Sequence, residues 1–194
     1  AAASDVYKRQ PLVSNDKKIF CMNWNVNEYF DNAEMTEELY NFWFNQELKY
    51  LLHLSNKKYI PEILLIDTKK RVIEFRWYDK NLNVMIENNT INKIKNWQKK
   101  IKAIKDDLEN DNIFKINMYP HTFFFDDEGN AHIMDLYGCT DKHTRYLDTK
   151  YLKPLIRNKR FDKFIMNERL DTHKLYQETI KTNYSEWPGD FLNA

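Results

Sequence analysis

The chain has 194 residues, with 30 Lys+Arg against 29 Asp+Glu and a formal net charge of +1. That length suits one domain or two small lobes, and 42% hydrophobic with 15% aromatic residues is enough to bury a sizeable core. The balanced charge gives no global electrostatic case for nucleic acid or an anionic membrane, three glycines argue against a glycine-rich phosphate cradle, and no run of about 18 apolar residues marks a membrane span.

Residues 1–10, Ala-Ala-Ala-Ser-Asp-Val-Tyr-Lys-Arg-Gln, read as a non-native, adapter-derived stretch of the kind that ends metagenome-assembled reading frames, and they are set aside from fold reasoning. Pro11 to Ser14 reads as a strand and Lys18 to Trp24 as a second, with Asn15-Asp16 between them. Asn25 to Ala33 reads as loop. Thr36-Glu37-Glu38 opens a helix: Thr is a good N-cap and the carboxylates suit the positive end of the helix dipole. Tyr40, Phe44, Leu48 and Leu51 or Leu52 give that helix an apolar stripe, and it ends between His53 and Asn56. Ile63–Ile66 and Val72–Trp77 read as an antiparallel hairpin over Asp67–Lys70. Tyr78 to Asn89 is polar, reads as an interlobe linker, and holds a short strand at Leu82 to Ile86. A second helix is expected from Thr90, as its cap, to Glu109, with Ile91, Ile94, Trp97, Ile101, Ile104 and Leu108 facing one way and a solvated lysine face opposite.

Ile113 to Met118 is extended and leads into Asn117-Met-Tyr-Pro-His-Thr-Phe-Phe-Phe-Asp-Asp-Glu-Gly-Asn-Ala-His-Ile-Met-Asp-Leu-Tyr-Gly138. This is a loop, a strand at Phe123–Phe125, a turn at Asp126–Asn130 with Gly129 free to take positive φ, and a return strand from Ala131 to Leu136. Asp135 follows Ile133 by two, so the pattern puts a carboxylate on an apolar face, which is costly unless a metal, a lysine or backbone N–H groups meet it. A polar loop then runs to Thr149. Helices are expected at Lys150–Arg157 and Phe161–Asn183, followed by an aromatic tail at Trp187–Phe191. Cys21 and Cys139 are far apart and suit reduced thiols of a cytoplasmic protein better than a disulfide framework.

The segment from Asn117 to Gly138 resembles the catalytic segment of the protein-kinase-like fold. Pro120 matches the family proline, Asp126 the acidic residue opening the hairpin turn, and Asp135 the metal-binding Asp, with Leu136-Tyr137-Gly138 in place of Phe-Gly. Two positions depart from the pattern. Asn117 stands where the catalytic Asp belongs, and Thr122, beside His121, where the metal-binding Asn belongs. The order of elements matches the family from the third strand of the small lobe onward. The resemblance therefore implies an α+β fold of protein-kinase-like two-lobe architecture, with a truncated small β-rich lobe over 11–88 and a mainly helical lobe over 89–194.

It also implies an ATP-binding transferase that uses magnesium to phosphorylate a small molecule or sugar. Asp135 and Thr122 would be the metal ligands, Asn117 would position the acceptor, and His121, as a second catalytic residue, would contact a phosphate or shuttle a proton. Glu47, rather than Glu38, would anchor the small lobe. No lysine sits at the family's strand position, where Asn23 is the nearest match, and Lys18 is the nearest candidate to grip phosphate. An amide has no useful pKa for a general base, so a non-catalytic pseudokinase-like binding or scaffold protein, acting through a protein partner, is the alternative. A metal hydrolase built on His121, His132, Asp135 and His143 is disfavoured by spacing, since residues three apart on a strand face opposite ways.

Overall fold

The structure, a computed structural model, describes residues 10–13, 19–23, 36–156 and 168–181, with backbone alone for 10–13, 19–23 and 181. Lys18, Trp24, the loop at Asn25–Ala33, the start of the expected helix at Phe161 and the tail at Trp187–Phe191 lie outside the described residues. So does the Cys21 side chain.

Four antiparallel strands form the first sheet, in the order β1-β2-β4-β3: β1 (Gln10–Val13), β2 (Ile19–Asn23), β3 (Ile63–Asp67) and β4 (Val72–Arg76). The β3–β4 pair is the hairpin expected from sequence, with Ile66 opposite Ile73 and a bulge between Ile63 and Leu65. Ile73 and Phe75 alternate into the core, while Leu64 and Leu65 stay exposed on the edge strand. Helix α1 (Glu37–Leu54) precedes this hairpin in the chain and starts at Thr36, whose hydroxyl accepts from Leu39 N at 3.3 Å. Tyr40, Phe44 and Leu51 are buried along it and Leu52 is exposed, so Leu51 completes the stripe.

The expected strand at Leu82–Ile86 is instead a short helix, α2 (Leu82–Glu87). Asn81 caps it by accepting from Val84 N at 3.2 Å, and Leu82 and Met85, three apart, are the residues it buries. Only Lys80–Asn81 is extended there, as β5. The long helix expected from Thr90 is also two pieces. Ile91–Lys93 is a single 3-10 turn, the chain passes through Asn96 at φ 56°, and α3 runs Trp97–Asn110. Thr90 makes no side-chain cap; its hydroxyl donates to Met85 O. All six residues of the apolar stripe are nevertheless buried. Their spacing reported which face is inside, while the left-handed turn at Asn96 set where the helix begins.

After α3 come β6 (Ile113–Lys115), β7 (Phe123–Phe125) and β8 (Ala131–Ile133). β7 and β8 form the expected antiparallel hairpin with Phe124 opposite His132, and β5 extends it into a three-stranded sheet. β8 stops at Ile133 rather than Leu136. Met134 N still donates to Thr122 O at 2.9 Å, and Asp135 then leaves the ladder. The polar stretch expected to be loop carries two more strands. β9 (Cys139–Asp141) pairs with β6, and β10 (Tyr146–Asp148) pairs with β11 (Arg169–Asp171). Of the two expected terminal helices, the first is, within the described residues, the single turn α4 (Thr149–Leu152) and a 3-10 turn at Lys153–Leu155, and the second is interrupted by β11, after which α5 covers Thr172–Lys181. Asp171 ends β11 and accepts from Lys174 N at 3.0 Å, a local bond that lets strand give way to helix there. Residues expected to be mainly helical are therefore mixed, with strands β6 to β11 between and around the helices. No helix among the described residues is long and apolar enough to cross a membrane.

Candidate functional site

Ile113 and Lys115 share one side of β6, and the extended run expected to reach Met118 gives way at Ile116–Asn117 to a turn; Ile113, Lys115 and Asn117 are all buried. Next to them in the sheet runs the segment that follows Asp135: Lys115 pairs with Cys139, and Ile116 N donates to Gly138 O at 3.0 Å. The Lys115 amino group, 0% exposed, donates to Asn117 Oδ1 at 2.9 Å and to the Tyr137 carbonyl at 2.6 Å. On the same peptide stretch Tyr137 N donates to Asp135 Oδ1 at 2.7 Å. Gly138 takes φ +81°, and a Cβ there would stand 2.8 Å from Asn117 Cγ and closer still to Oδ1. Only glycine admits both that backbone angle and the amide lying against it. Lys115, Asn117, Asp135, Tyr137 and Gly138 are thereby one hydrogen-bonded and sterically fitted unit.

Asp135 is 3% exposed. Its carboxylate is oriented by a backbone N–H from two residues ahead, the local bond that short acidic side chains favour in turns. Thr122, also buried, donates its hydroxyl to Tyr119 O at 2.9 Å, which leaves the oxygen's lone pairs for a cation. Pairing of its carbonyl with Met134 N puts Thr122 opposite the residue before Asp135. His121 stacks on Tyr119, with ring centroids 5.3 Å apart, and its carbonyl accepts from Asn81 Nδ2. Among the described residues no three His, Cys, Asp or Glu side chains converge as a metal site of their own. His132 is engaged elsewhere: it meets Asp126 at 3.1 Å and stacks on Tyr78. Asp126 also accepts from Glu128 N, Asn130 N and Asn130 Nδ2, so it closes the β7–β8 turn. Burial raises the Asp126 carboxyl, but the bonds from His132 and Asn130 outweigh this and hold it below the usual aspartate range.

The two glutamates of α1 separate clearly. Glu47 is 1% exposed in mid-helix. Glu38 is exposed and engaged by Tyr151 Oη at 2.7 Å and Lys150 Nζ at 3.1 Å, and those partners lower its pKa. α1 reaches the stretch from Tyr137 onward at further points. Trp43 Nε1 donates to Tyr151 O, its ring meets Tyr137 edge-on, and Lys49 and Tyr50 both donate to Asp141 Oδ2, at 2.7 and 3.0 Å. Burial pushes the Tyr50 phenol well above its ordinary value, with the Asp141 charge adding to it.

Sequence reasoning found Asn117, Thr122 and Asp135 but passed over Lys115, which joins Asn117 to the Asp135 turn. Its signal was present: a lysine and an asparagine two apart in the apolar run Ile113-Phe-Lys-Ile-Asn-Met118. Two polar groups buried in so apolar a run require partners, and each is close enough to supply the other.

The class this describes is a mixed α/β chain with, among the described residues, small antiparallel sheets and five α-helices, built around a buried turn that carries one carboxylate. Among the solved structures it is similar to is WbdD. It superposes on a crystal structure of monomeric WbdD with a TM-score of 0.54 at 12% identity, over 93% of this chain and 46% of that one. On the structure of the bifunctional kinase-methyltransferase WbdD the TM-score is 0.50 at 12% identity, over 97% of this chain and 46% of that one. The chain thus spans less than half the length of the WbdD chains it matches. No protein-family model matches it, and no curated protein matches it in sequence.

Proposed function

We propose that the chain is a divergent member of the protein-kinase-like fold, with a small lobe over 11–88 and a second lobe over 89–194, and that it is a Mg-ATP-dependent phosphotransferase acting on a small molecule or sugar. The observation that carries this reading is the buried Asp135 carboxylate, held by Tyr137 N–H at 2.7 Å in a turn locked by Lys115 and Gly138. The fold likeness to part of a bifunctional kinase-methyltransferase supports it. Mg²⁺ entering with nucleotide phosphates needs only one or two protein oxygens. Asp135, a hard anionic ligand, and the Thr122 hydroxyl oxygen fit that requirement and would hold it, where it would neutralise phosphate charge. Glu47 would anchor the small lobe from within α1, Asn117 would position the acceptor, and His121 would contact a phosphate or shuttle a proton. Lys18, the candidate for phosphate on the small lobe, lies outside the described residues.

A second reading is favoured by one specific observation. Asn117 is an amide, and its Oδ1 is already taken by Lys115, so no general base stands at that position. On that reading the chain is a pseudokinase-like binding or scaffold protein. Thermal unfolding with ATP, with and without Mg²⁺, on the wild type and on Asp135→Asn tests the nucleotide site. ATP at 100 times its dissociation constant stabilises by about 2.7 kcal/mol. A Mg²⁺-dependent shift that Asp135→Asn abolishes supports the site, and no shift in the folded wild type overturns it. Turnover of ATP with candidate hydroxyl acceptors then separates the transferase from the scaffold.

A further inference from the structure

The two ends of an asparagine amide have the same shape but opposite hydrogen-bonding sense, and a lysine amino group at its side fixes which end is which. A protonated lysine only donates. Asn117 must therefore turn its oxygen to Lys115 Nζ, 2.9 Å away, and its Nδ2 away from it. Lys115 cannot swing aside, because it is fully buried and its second bond, to Tyr137 O at 2.6 Å, ties it to the turn that carries Asp135. Asn117 Nδ2 makes no hydrogen bond among the described residues. The missing side chain at Gly138 is what gives this amide its room.

We propose that Lys115 is a positioning residue that sets Asn117 as a hydrogen-bond donor toward a phosphoryl oxygen of the bound nucleotide. This rests on the nucleotide-site reading and deepens it. Position 117 then recognises the ligand's oxygen by donating to it, and does not draw a proton from it. The same geometry defines what an aspartate at 117 does. One carboxylate oxygen keeps the bond to Lys115, and the other places an acceptor where Nδ2 now offers donors. Asn117→Asp therefore keeps the internal bond while reversing the sense of the outward one.

The test is a set of 1H–15N spectra of the full chain as wild type, Lys115→Met, Asn117→Asp and Asp135→Asn, each titrated with ATP and Mg²⁺, with calorimetry in parallel. The side-chain amide pair absent from the Asn117→Asp spectrum identifies Asn117. Lys115→Met is expected to move that pair toward the position of a solvent-exposed asparagine while core backbone signals stay in place. ATP with Mg²⁺ is expected to shift it in the wild type. Asn117→Asp is expected to weaken ATP–Mg²⁺ binding tenfold or more, since a charge-assisted bond is replaced by an acceptor facing an acceptor, while its ligand-free unfolding temperature holds or rises. An amide pair unmoved in folded Lys115→Met overturns the positioning role. Should that variant not fold, Asn117→Asp decides alone: undiminished affinity overturns the proposal. If no signal of the wild type responds to ATP, the nucleotide reading fails and takes the ligand half of the proposal with it. The Lys115→Met comparison without ligand still decides whether Lys115 orients the amide.

Discussion

Two lysines flank strand β9 and do different work. Lys49, 55% exposed on α1, meets the Asp141 carboxylate at 2.7 Å. Lys115, on the neighbouring strand β6, is fully buried and meets two neutral oxygens, an amide and a peptide carbonyl. Coulomb attraction, screened by water, is what the first contact offers. The second offers direction, because a buried donor must be satisfied and each acceptor it finds is thereby fixed in place. The comparison also separates two aspartates that look alike locally. Asp135 and Asp141 each accept from the backbone N–H two residues on, at 2.7 and 2.8 Å. Asp141 then closes a capping box with Thr144 and takes Lys49 and Tyr50 as well, so its role is to hold α1 against the stretch after Gly138. Asp135 sits in the turn that Lys115 braces.

The largest way to break the buried side of this contrast is Gly138→Ala. The new Cβ meets the Asn117 amide, and alanine is strained at φ +81°. Overpacking and the left-handed backbone together are expected to cost about 3 kcal/mol. Urea denaturation measures this, and a loss below about 1 kcal/mol would mean that the amide moves aside freely and that the site is not one rigid unit.

How much of this was legible beforehand follows the same division. The β7–β8 hairpin was readable because its turn chemistry, Asp126 to Asn130 with Gly129, is local, and the Thr36 cap of α1 for the same reason. Local chemistry also explains two misreadings. The Asn81 cap made a helix of Leu82–Glu87 although Leu82, Val84 and Ile86 alternate like a strand, and the left-handed Asn96 delayed α3 although the apolar stripe begins at Ile91. What sequence could not carry was pairing over distance. Strands β9, β10 and β11 are three residues each and exist through partners up to 28 positions away, β6 for β9 and one another for β10 and β11. Within the site, Asn117 and Asp135 were legible as motif positions. Lys115 was missed because its second partner, Tyr137 O, is 22 residues on.

Asp141→Asn probes the exposed side with an intermediate effect. It removes the charge from a side chain that accepts from Lys49, Tyr50, His143 N and Thr144 N, and about 1–2 kcal/mol is expected to be lost at neutral pH. Burial alone would raise this carboxyl, but the bonds from Lys49, Tyr50 and His143 N hold it below the usual aspartate value. A carboxyl depressed in the folded state stabilises most above its unfolded value, near 3.9, and the contribution fades as pH falls through the lower folded value. The gap in stability between wild type and Asp141→Asn is therefore expected to be constant above about pH 5 and to narrow below about pH 4. A gap that persists unchanged in acid would assign the loss to packing.

Lys49→Ala should have the smallest effect, because half of its partnership is with solvent. Exposed pairs are worth up to about 1 kcal/mol and less in salt. Lys49 has two attractions, however: the Asp141 carboxylate at 2.7 Å and the Tyr50 ring, 5.1 Å from its Nζ. Repeating Lys49→Ala in the Asp141→Asn background tells them apart. If the ion pair carries the effect, the loss shrinks toward zero in that background and in 1 M salt. If the loss is the same in both backgrounds, Lys49 acts through the Tyr50 ring and its own methylene stem. Asp141 would then owe its depressed carboxyl chiefly to Tyr50 and the backbone. The contrast with Lys115 would become one between a lysine that packs and a lysine that points.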